Sequence, residues 1–454
     1  MGRLLGILLL VLTVCTIACG GSPGTPVFVR ARLDSKRFSL ANGLEVVLHP
    51  DSSFRSVTVN VRYEVGSRHD PAGASGLAHL VEHLTFRTKP DGTHDAFTLL
   101  EQAGSSSHNA ETTVDATSYY ETVPAEALPV ALFIEAARMA RPLDGVDEAA
   151  FAIERNVVRN ERRERIENVP YGNLDGLALF LLFEGSSYGT PTIGLAQELD
   201  RLTLEHARRF VSAWYRPNNA TLVVAGGFDP LRVTALIHEL FDAIPAARIA
   251  NVGVVPDPTS QENVRWVTEA GVDAPAVALA WGIPAPGQRG WHEMVLAEEC
   301  FPSAIKHRFG AAARRIRADV IPRDEQSVFL VHAELAPNAT ASAFVDAVES
   351  ELREMSREHF ASVLGSEKSR VIAQRTLDLE QIDERARVLQ AFVARYDRAD
   401  SIQAELHAFS MVTQSDFAQA IDQYLLRGRR ITVEALPKPG APRAGSWNVR
   451  RAGE

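Results

Sequence analysis

Two histidines and a glutamate lie close together in the segment His79-Leu-Val-Glu-His83. Residues four apart on a helix share one face, so the two imidazoles could hold a single metal ion. Glu82 lies three residues after His79 and would place its carboxylate beside that ion. The order is the inverse of the H-E-x-x-H pattern, and neutral imidazole suits zinc. The alternative is a helix with two surface histidines and a solvated glutamate.

A second segment could supply a third ligand. Glu154 and Glu161 are seven residues apart, which places both carboxylates on one face of a helix, two turns from each other. The surrounding sequence, ERNVVRNERRER, is equally typical of an exposed charged helix. The residues alone leave both interpretations open.

The chemistry expected of such a cluster is metal-assisted hydrolysis. A catalytic zinc keeps three protein ligands and binds water in its fourth position. Glu82, beside that water but not a ligand, could accept its proton and pass it to a leaving amine.

The elements around these residues alternate between strands and helices. Residues 56–65 have the period of two of a half-buried strand, and residues 76–86 switch to helical spacing. Residues 262–437 repeat the first half in outline, and residues 296–300 resemble residues 80–84 without the histidine pair, which suggests a duplication. We therefore expect an α+β fold of two homologous halves, each a mostly antiparallel sheet flanked by helices.

The amino-terminal residues indicate export. Leu4 to Ala18 is apolar and uncharged, which is short for a membrane-spanning helix but suits a secretory signal. Small residues precede Cys19 and a Gly/Ser-rich run follows it, as in a bacterial lipoprotein signal. Cys19 would then be lipidated and would be the protein's one link to a membrane, in the periplasm or cell envelope. The alternative is an ordinary cleaved signal.

These patterns divide the chain into six segments. They are a signal peptide (1–19), a flexible tether (20–36), an N-terminal domain that bears the candidate zinc motif (37–245), a linker (246–261), a homologous domain without the metal motif (262–437) and a tail (438–454).

Composition excludes several other classes of protein. Of 454 residues, 46% are hydrophobic and 23% are charged, as in ordinary globular proteins. The net charge is −10 and no segment is strongly basic, so a nucleic-acid partner is not expected. Three cysteines are too few for a disulfide scaffold.

The sequence resembles the pitrilysin/insulinase metallopeptidases, which include the mitochondrial processing peptidase and many bacterial relatives. The resemblance extends over residues 37–437 and depends on segments in the same order as in the family. These segments are Leu40–Leu48, His79–His83, Gly104–Tyr120, Glu154–Glu161, Tyr188–Gly194, and Tyr215–Asn219 running into Leu222–Gly226.

The resemblance implies specific roles for site residues. It makes His79, His83 and Glu161 the ligands of one zinc ion per chain, and Glu82 the general base. Glu154 becomes a carboxylate that helps to orient the site. Asn109 and Ala110 match an Asn-Ala pair on an edge strand, where family substrates add as an extra strand through main-chain hydrogen bonds. Unfolded peptides in an enclosed chamber are the implied substrates.

One departure from the family concerns the second half. There the family often supplies an arginine and, seven residues later, a tyrosine that bind the substrate backbone. The corresponding region here is residues 311–324, and its candidate arginines have no such tyrosine: Arg314, Arg315 and Arg317 are followed at that spacing by Ile321, Pro322 and Asp324. We therefore expect the zinc-bearing subunit of a two-subunit enzyme, whose partner is a homologous subunit or a second copy.

Two rival interpretations belong to other classes. One is a structural or peptide-binding subunit of the same family with a vestigial metal site, and the other is a lipoprotein that binds peptides without cutting them. Because all three implied ligands and the base are present, we expect a zinc metalloendopeptidase.

Overall fold

The computed structural model describes residues 33–250, 263–396 and 401–452. The predicted signal peptide, residues 20–32 of the tether and residues 251–261 of the predicted linker lie outside the described residues. Within the described ranges, every helix is too short or too polar to traverse a lipid bilayer.

The first half of the chain contributes one six-stranded sheet. Its strands are β1 (Lys36–Ser39), β2 (Glu45–Pro50), β3 (Ser56–Tyr63), β4 (Ser107–Thr112), β5 (Thr117–Pro124) and β6 (Ala220–Gly226). They lie in the order β1-β2-β6-β3-β5-β4, and only β2 and β6 are parallel. Strand β4 is therefore an edge strand that pairs with β5 alone among the described strands.

The second half repeats this arrangement. Its strands are β7 (Val264–Ala270), β8 (Ala276–Ile283), β9 (Ala313–Ile321), β10 (Ser327–Leu335), β11 (Arg430–Pro437) and β12 (Arg450–Arg451). The order is β12-β7-β11-β8-β10-β9, and again one pair, β7 and β11, is parallel. Five strands of each half follow the same order and include a matching parallel pair, which confirms the predicted fold class of two homologous, mostly antiparallel halves. The remaining edge strand comes first in the chain in the first half (β1) and last in the second half (β12).

Helices flank both sheets. In the first half they are α1 (Leu77–Thr85), α2 (Ala96–Gln102), α3 (Leu128–Ala140), α4 (Glu148–Arg162), α5 (Leu174–Leu182), α6 (Ala196–Leu199), α7 (Leu204–Trp214) and α8 (Pro230–Phe241). In the second half they are α9 (Trp291–Phe309), α10 (Ala341–Met355), α11 (Ala361–Asp378), α12 (Ile382–Tyr396), α13 (Ile402–Met411) and α14 (Gln414–Ala420).

The start of α1 is fixed by a close backbone contact. Gly76 precedes the helix with φ 85°, a left-handed conformation, and a Cβ atom there would lie 2.9 Å from the carbonyl oxygen of Ile193. Gly194 is packed against the same point. The carboxylate of Asp70 accepts hydrogen bonds from the N–H groups of Gly76 and Ala78 at 2.7 and 2.8 Å, which satisfies the helix end.

Helix α5 comes from the first half but packs on the sheet of the second half. Leu177 lies in one apolar cluster with Ala278 and Val433 of that sheet. A hydrogen bond reinforces the contact, because Nδ1 of His332 donates to the carboxylate of Asp175 at 2.7 Å. The first half thus supplies a cover for the second sheet.

Helix α12 makes the reciprocal contact, since it comes from the second half and packs on β3 and β6. At its first turn the Arg385 guanidinium lies 2.6 Å from the carboxylate of Asp51 and over the ring of Phe54, with its Cζ 4.8 Å from the ring centroid. The two halves therefore each carry a helix that completes the other.

Candidate metal centre

Helix α1 carries the two histidines and Glu82 on the side away from its apolar face. Leu80, Val81 and Leu84 are fully buried, which fixes the rotation of the helix. The rings of His79 and His83 then lie 4.9 Å apart, centroid to centroid. Ligand atoms of His79, Glu82 and His83 all lie within 4.8 Å of one another.

Helix α4 packs against α1 and brings two further carboxylates to the same point. Oε2 of Glu161 lies 3.3 Å from Nε2 of His83 and 3.8 Å from Nε2 of His79. Glu154, two turns earlier, places Oε2 3.6 Å from Nδ1 of His83. The structure thus brings together all five residues that the sequence singled out for this cluster.

The donor set fits a zinc ion. Two ligand atoms that are each 2.0–2.1 Å from a tetrahedral zinc lie roughly 3.3–3.4 Å from one another. The distances from Glu161 to the two Nε2 atoms, 3.3 and 3.8 Å, are close to that value. Two imidazoles and a carboxylate are also the kinds of ligand found in catalytic zinc sites.

The electrostatics of the cluster favour a cation. Burial and the neighbouring His83 lower the pKa of His79 to about 4, so His79 is neutral. Burial opposes a charge on His83 too, but the adjacent carboxylates of Glu154 and Glu161 outweigh it and raise the pKa of His83 to about 9. The two glutamates therefore attract positive charge to the point where the imidazoles meet.

Glu82 is held differently from Glu161, although both face the histidines. Thr112, on the edge strand β4, donates a hydrogen bond from Oγ1 to Oε2 of Glu82. Burial raises the pKa of the Glu82 carboxyl, and the hydrogen bond from Thr112 partly opposes that rise. The carboxyl is thus oriented by the strand, beside the imidazoles.

A cavity of about 570 Å³ opens in front of the cluster. Edge strand β4 forms one wall, and its residues Asn109, Ala110, Glu111 and Thr112 all line the cavity. Asn109 and Ala110 therefore lie beside the histidine cluster, on a strand whose outer edge has no partner among the described strands. An extended peptide could pair with that edge inside the cavity.

Sequence reasoning missed several residues of this site. Thr112 lies within the matched segment Gly104–Tyr120, three residues after Asn109. That position could have identified Thr112 as a site residue. No sequence pattern indicated Arg87 or Arg165, because they contact the glutamates of the cluster and not its histidines. Arg87 Nε lies 2.7 Å from Glu154, and Arg165 NH1 lies 2.7 Å from Glu161.

The region considered for an arginine–tyrosine pair, residues 311–324, contains strand β9 at the edge of the second sheet. Arg317 forms ion pairs with Asp175 and Asp319, and Arg314 and Arg315 are exposed. All three arginines therefore lie on the second sheet.

A helix with the H-x-x-E-H pattern, a glutamate-bearing helix packed against it and a duplicated sheet-and-helix fold together define the class of inverted-motif metallopeptidases. Two family models match the chain. One, described as Insulinase (Peptidase family M16), matches residues 45–170, and the other, described as Peptidase M16 inactive domain, matches residues 201–364. The chain belongs to the pitrilysin/insulinase family of peptidases, M16.

Curated relatives are similar to this chain in sequence, and solved structures are similar to it in fold. The zinc protease PqqE of Helicobacter pylori is 30% identical over 254 residues, which are 54% of this chain and 56% of that protein. The chain thus aligns with little more than half the length of this curated relative. The crystal structure of a protease from Helicobacter pylori superposes with a TM-score of 0.81 at 23% identity, over 90% of this chain and all of that one. The periplasmic protease PqqL from Escherichia coli has a TM-score of 0.71 at 19% identity, over 89% of this chain and 48% of that one.

Proposed function

We propose that this protein is an exported zinc metalloendopeptidase that hydrolyses peptide bonds in unfolded peptides. The observation that supports it most is the convergence of His79 Nε2, His83 Nε2 and Glu161 Oε2 beside the carboxyl of Glu82. Those three atoms would hold one zinc ion per chain.

Zinc, when bound, would polarise the scissile carbonyl and make a water molecule more acidic. The chain's own residues do the rest. Glu82 accepts the proton of the attacking water on a carboxylate oxygen and then donates it to the nitrogen of the leaving amine. Thr112 keeps that carboxyl oriented through its hydrogen bond. Glu154 fixes the ring of His83 through Nδ1.

The edge strand β4 accounts for the preference for unfolded substrates. Asn109 and Ala110 would bind the substrate main chain as an added strand. Only a segment without its own secondary structure offers free N–H and C=O groups to such an edge. A folded protein is therefore expected to resist cleavage.

We propose further that the active enzyme contains two such subunits. Residues 311–324 supply no arginine–tyrosine pair, so this chain would be the zinc-bearing subunit, and a paralogue or a second copy would complete the chamber. The Escherichia coli protease with the same fold is about twice as long as the part that this chain matches, which supports a paired arrangement. The alternative is a non-catalytic structural or peptide-binding subunit.

Export is proposed from the apolar run Leu4–Ala18 and from Cys19. Lipidation at Cys19 would anchor the protein in the cell envelope. If it occurs, the membrane fraction should lose the protein when Cys19→Ala is expressed, and mass spectrometry of the wild type should find a lipid on Cys19. An unmodified amino terminus would contradict the anchor.

The test of the proposed function measures zinc and turnover together, on the chain from residue 20 onward. We expect about one zinc per chain and, once the second subunit is present, cleavage of an unstructured peptide and no cleavage of a folded protein. A chelator should abolish cleavage and added zinc should restore it. Bound zinc without cleavage, even after the partner subunit is added, would favour the non-catalytic alternative. Absence of zinc would contradict the ligand assignment.

Replacement of Glu154 tests its role in orienting His83. Glu154→Gln removes the charge that faces His83 Nδ1 and Arg87 while it keeps the side-chain shape. We expect zinc affinity to fall by about 10- to 100-fold, the usual effect of removing a residue that orients a ligand. Competition with a chromophoric chelator measures this affinity, and Glu148→Gln, at the exposed first turn of α4, is the matched control. An unchanged affinity would show that Glu154 does not orient the site.

A further inference from the structure

Four glutamates line the cavity, and three of them are engaged. Glu82 accepts a hydrogen bond from Thr112, while Glu154 and Glu161 form ion pairs with Arg87 and Arg165. The side chain of the fourth, Glu111, is exposed, and its carboxylate forms no hydrogen bond or ion pair with the residues that the structure describes. Glu111 therefore presents an uncompensated negative charge to the cavity.

The position of Glu111 on β4 determines which side chain of a bound peptide would lie beside its carboxylate. Successive side chains of a strand point to opposite faces, and Thr112 points towards Glu82 and the histidines. Glu111 thus points to the other face, on the same side as Asn109 and its cross-strand neighbour Tyr120. A peptide added to the edge of β4 would place one side chain directly opposite Glu111, at a Cβ–Cβ distance of about 4.5–5.5 Å.

The cations of the cavity do not neutralise this carboxylate. Arg87 and Arg165 come just after the ends of the two helices that carry the metal cluster, and both already form ion pairs with glutamates there. Arg387, on α12, affects Tyr120 electrostatically but is bonded to Glu384 on its own helix, with Nε 2.8 Å from the carboxylate. A cation to pair with Glu111 would have to come with the substrate.

We propose that Glu111 makes this enzyme selective for peptides with a lysine or arginine at the position opposite Glu111 on the added strand. This inference rests on the proposed function, since it names the substrate class of the same site. The preference is confined to one substrate position, because the residues before and after it face the metal side of the strand.

The experiment uses the zinc-loaded full chain and a set of peptides in which lysine, glutamine or glutamate is moved through each position in turn. We expect one position at which kcat/KM for the lysine peptide exceeds that for the glutamate peptide by about tenfold, since attraction and repulsion both contribute. The ratio should shrink in high salt, because the pair is solvent-exposed.

Charge reversal provides the decisive comparison. Glu111→Lys should invert the preference at that position and leave the others unchanged, and Glu111→Gln should nearly abolish it. Glu239→Lys, on α8 far along the chain from the cavity-lining residues, makes the same change in net charge and should retain the wild-type preference. Because Glu111 also influences Glu82 electrostatically, the measured quantity is the ratio between peptides, which cancels a common effect on turnover.

A binding measurement separates this inference from the proposed function. Fluorescence anisotropy with the zinc-loaded Glu82→Gln variant, with and without Glu111→Lys, reports the same lysine-to-glutamate ratio without turnover. An inverted binding ratio would support the inference even if no peptide were cleaved. Equal ratios in both variants, while the wild type cleaves peptides, would overturn it and leave the proposed function intact. Failure of every variant to bind any peptide would overturn both.

Discussion

Glu82→Gln is expected to lower kcat for peptide hydrolysis by about a thousandfold while zinc stays bound at one ion per chain. Glutamine keeps the size of the side chain and can still interact with Thr112 Oγ1. It cannot accept a proton from water, and general base catalysis typically contributes 10²- to 10⁴-fold. Steady-state kinetics and elemental analysis of the same preparation provide the two readouts.

Two comparisons make this result specific. Glu161→Gln removes an expected ligand, so it should reduce both zinc content and turnover, unlike Glu82→Gln. Glu239→Gln, an exposed and isosteric change on α8, should leave both unchanged. If Glu82→Gln instead lost its zinc, Glu82 would be a ligand, which the 4.8 Å cluster of ligand atoms permits geometrically. If it kept full activity, the proposed base would be wrong.

Arg138→Leu is expected to destabilise the protein by about 3–5 kcal/mol. The guanidinium is buried in the first half together with the carboxyls of Glu121 and Glu135, which are 2% and 0% exposed. It forms an ion pair with Glu135 and lies over the ring of Tyr119, with its Cζ 4.1 Å from the ring centroid. Leucine would leave Glu135 buried without a cation, and that uncompensated charge is the main cost. The midpoint of urea denaturation measures the loss.

A double variant tests that explanation. If the loss of stability comes from the unpaired Glu135 carboxylate, Arg138→Leu combined with Glu135→Leu should be less destabilised than Arg138→Leu alone, because no unpaired ion remains from the pair. Arg209→Leu breaks an exposed pair with Glu205, whose residues are 76% and 56% exposed, and should change stability by less than about 1 kcal/mol. Equal losses in Arg138→Leu and Arg209→Leu would contradict the argument.

The local part of the site could be predicted from the sequence. The spacing of His79, Glu82 and His83 depends only on helix geometry, and the structure places them as that geometry requires. For the charged helix that carries Glu161, the residues alone allow two interpretations, a third metal ligand or an exposed charged face. Only the family resemblance favours the ligand. Whether such a helix packs inward depends on a partner 70 or more residues away, and no local pattern contains that information.

The remainder depended on tertiary contacts. The hydrogen bond between Thr112 and Glu82 joins a strand to a helix, so the local sequence around either residue does not predict it. Alternation predicted strands and helices, and the repeat predicted two halves. The amphipathic patterns of α5 and α12 show that each has a buried face, but not which sheet covers it. Both helices pack on the sheet of the opposite half. Hydrophobic spacing cannot distinguish this arrangement from packing on the sheet of their own half.

That exchange of helices has a consequence for the order in which the chain can fold. Ile382, at the start of α12, comes 319 residues after Tyr63 at the end of β3, so the first sheet cannot close its outer face until most of the chain is available. Contacts of such long sequence separation are slow to form, and the apolar surface that stays exposed until they form promotes aggregation. Neither half is therefore a self-sufficient folding unit. A fragment that ends before α12 should accumulate as a chaperone client or a precipitate, and the duplicated halves must mature together as one cooperative body.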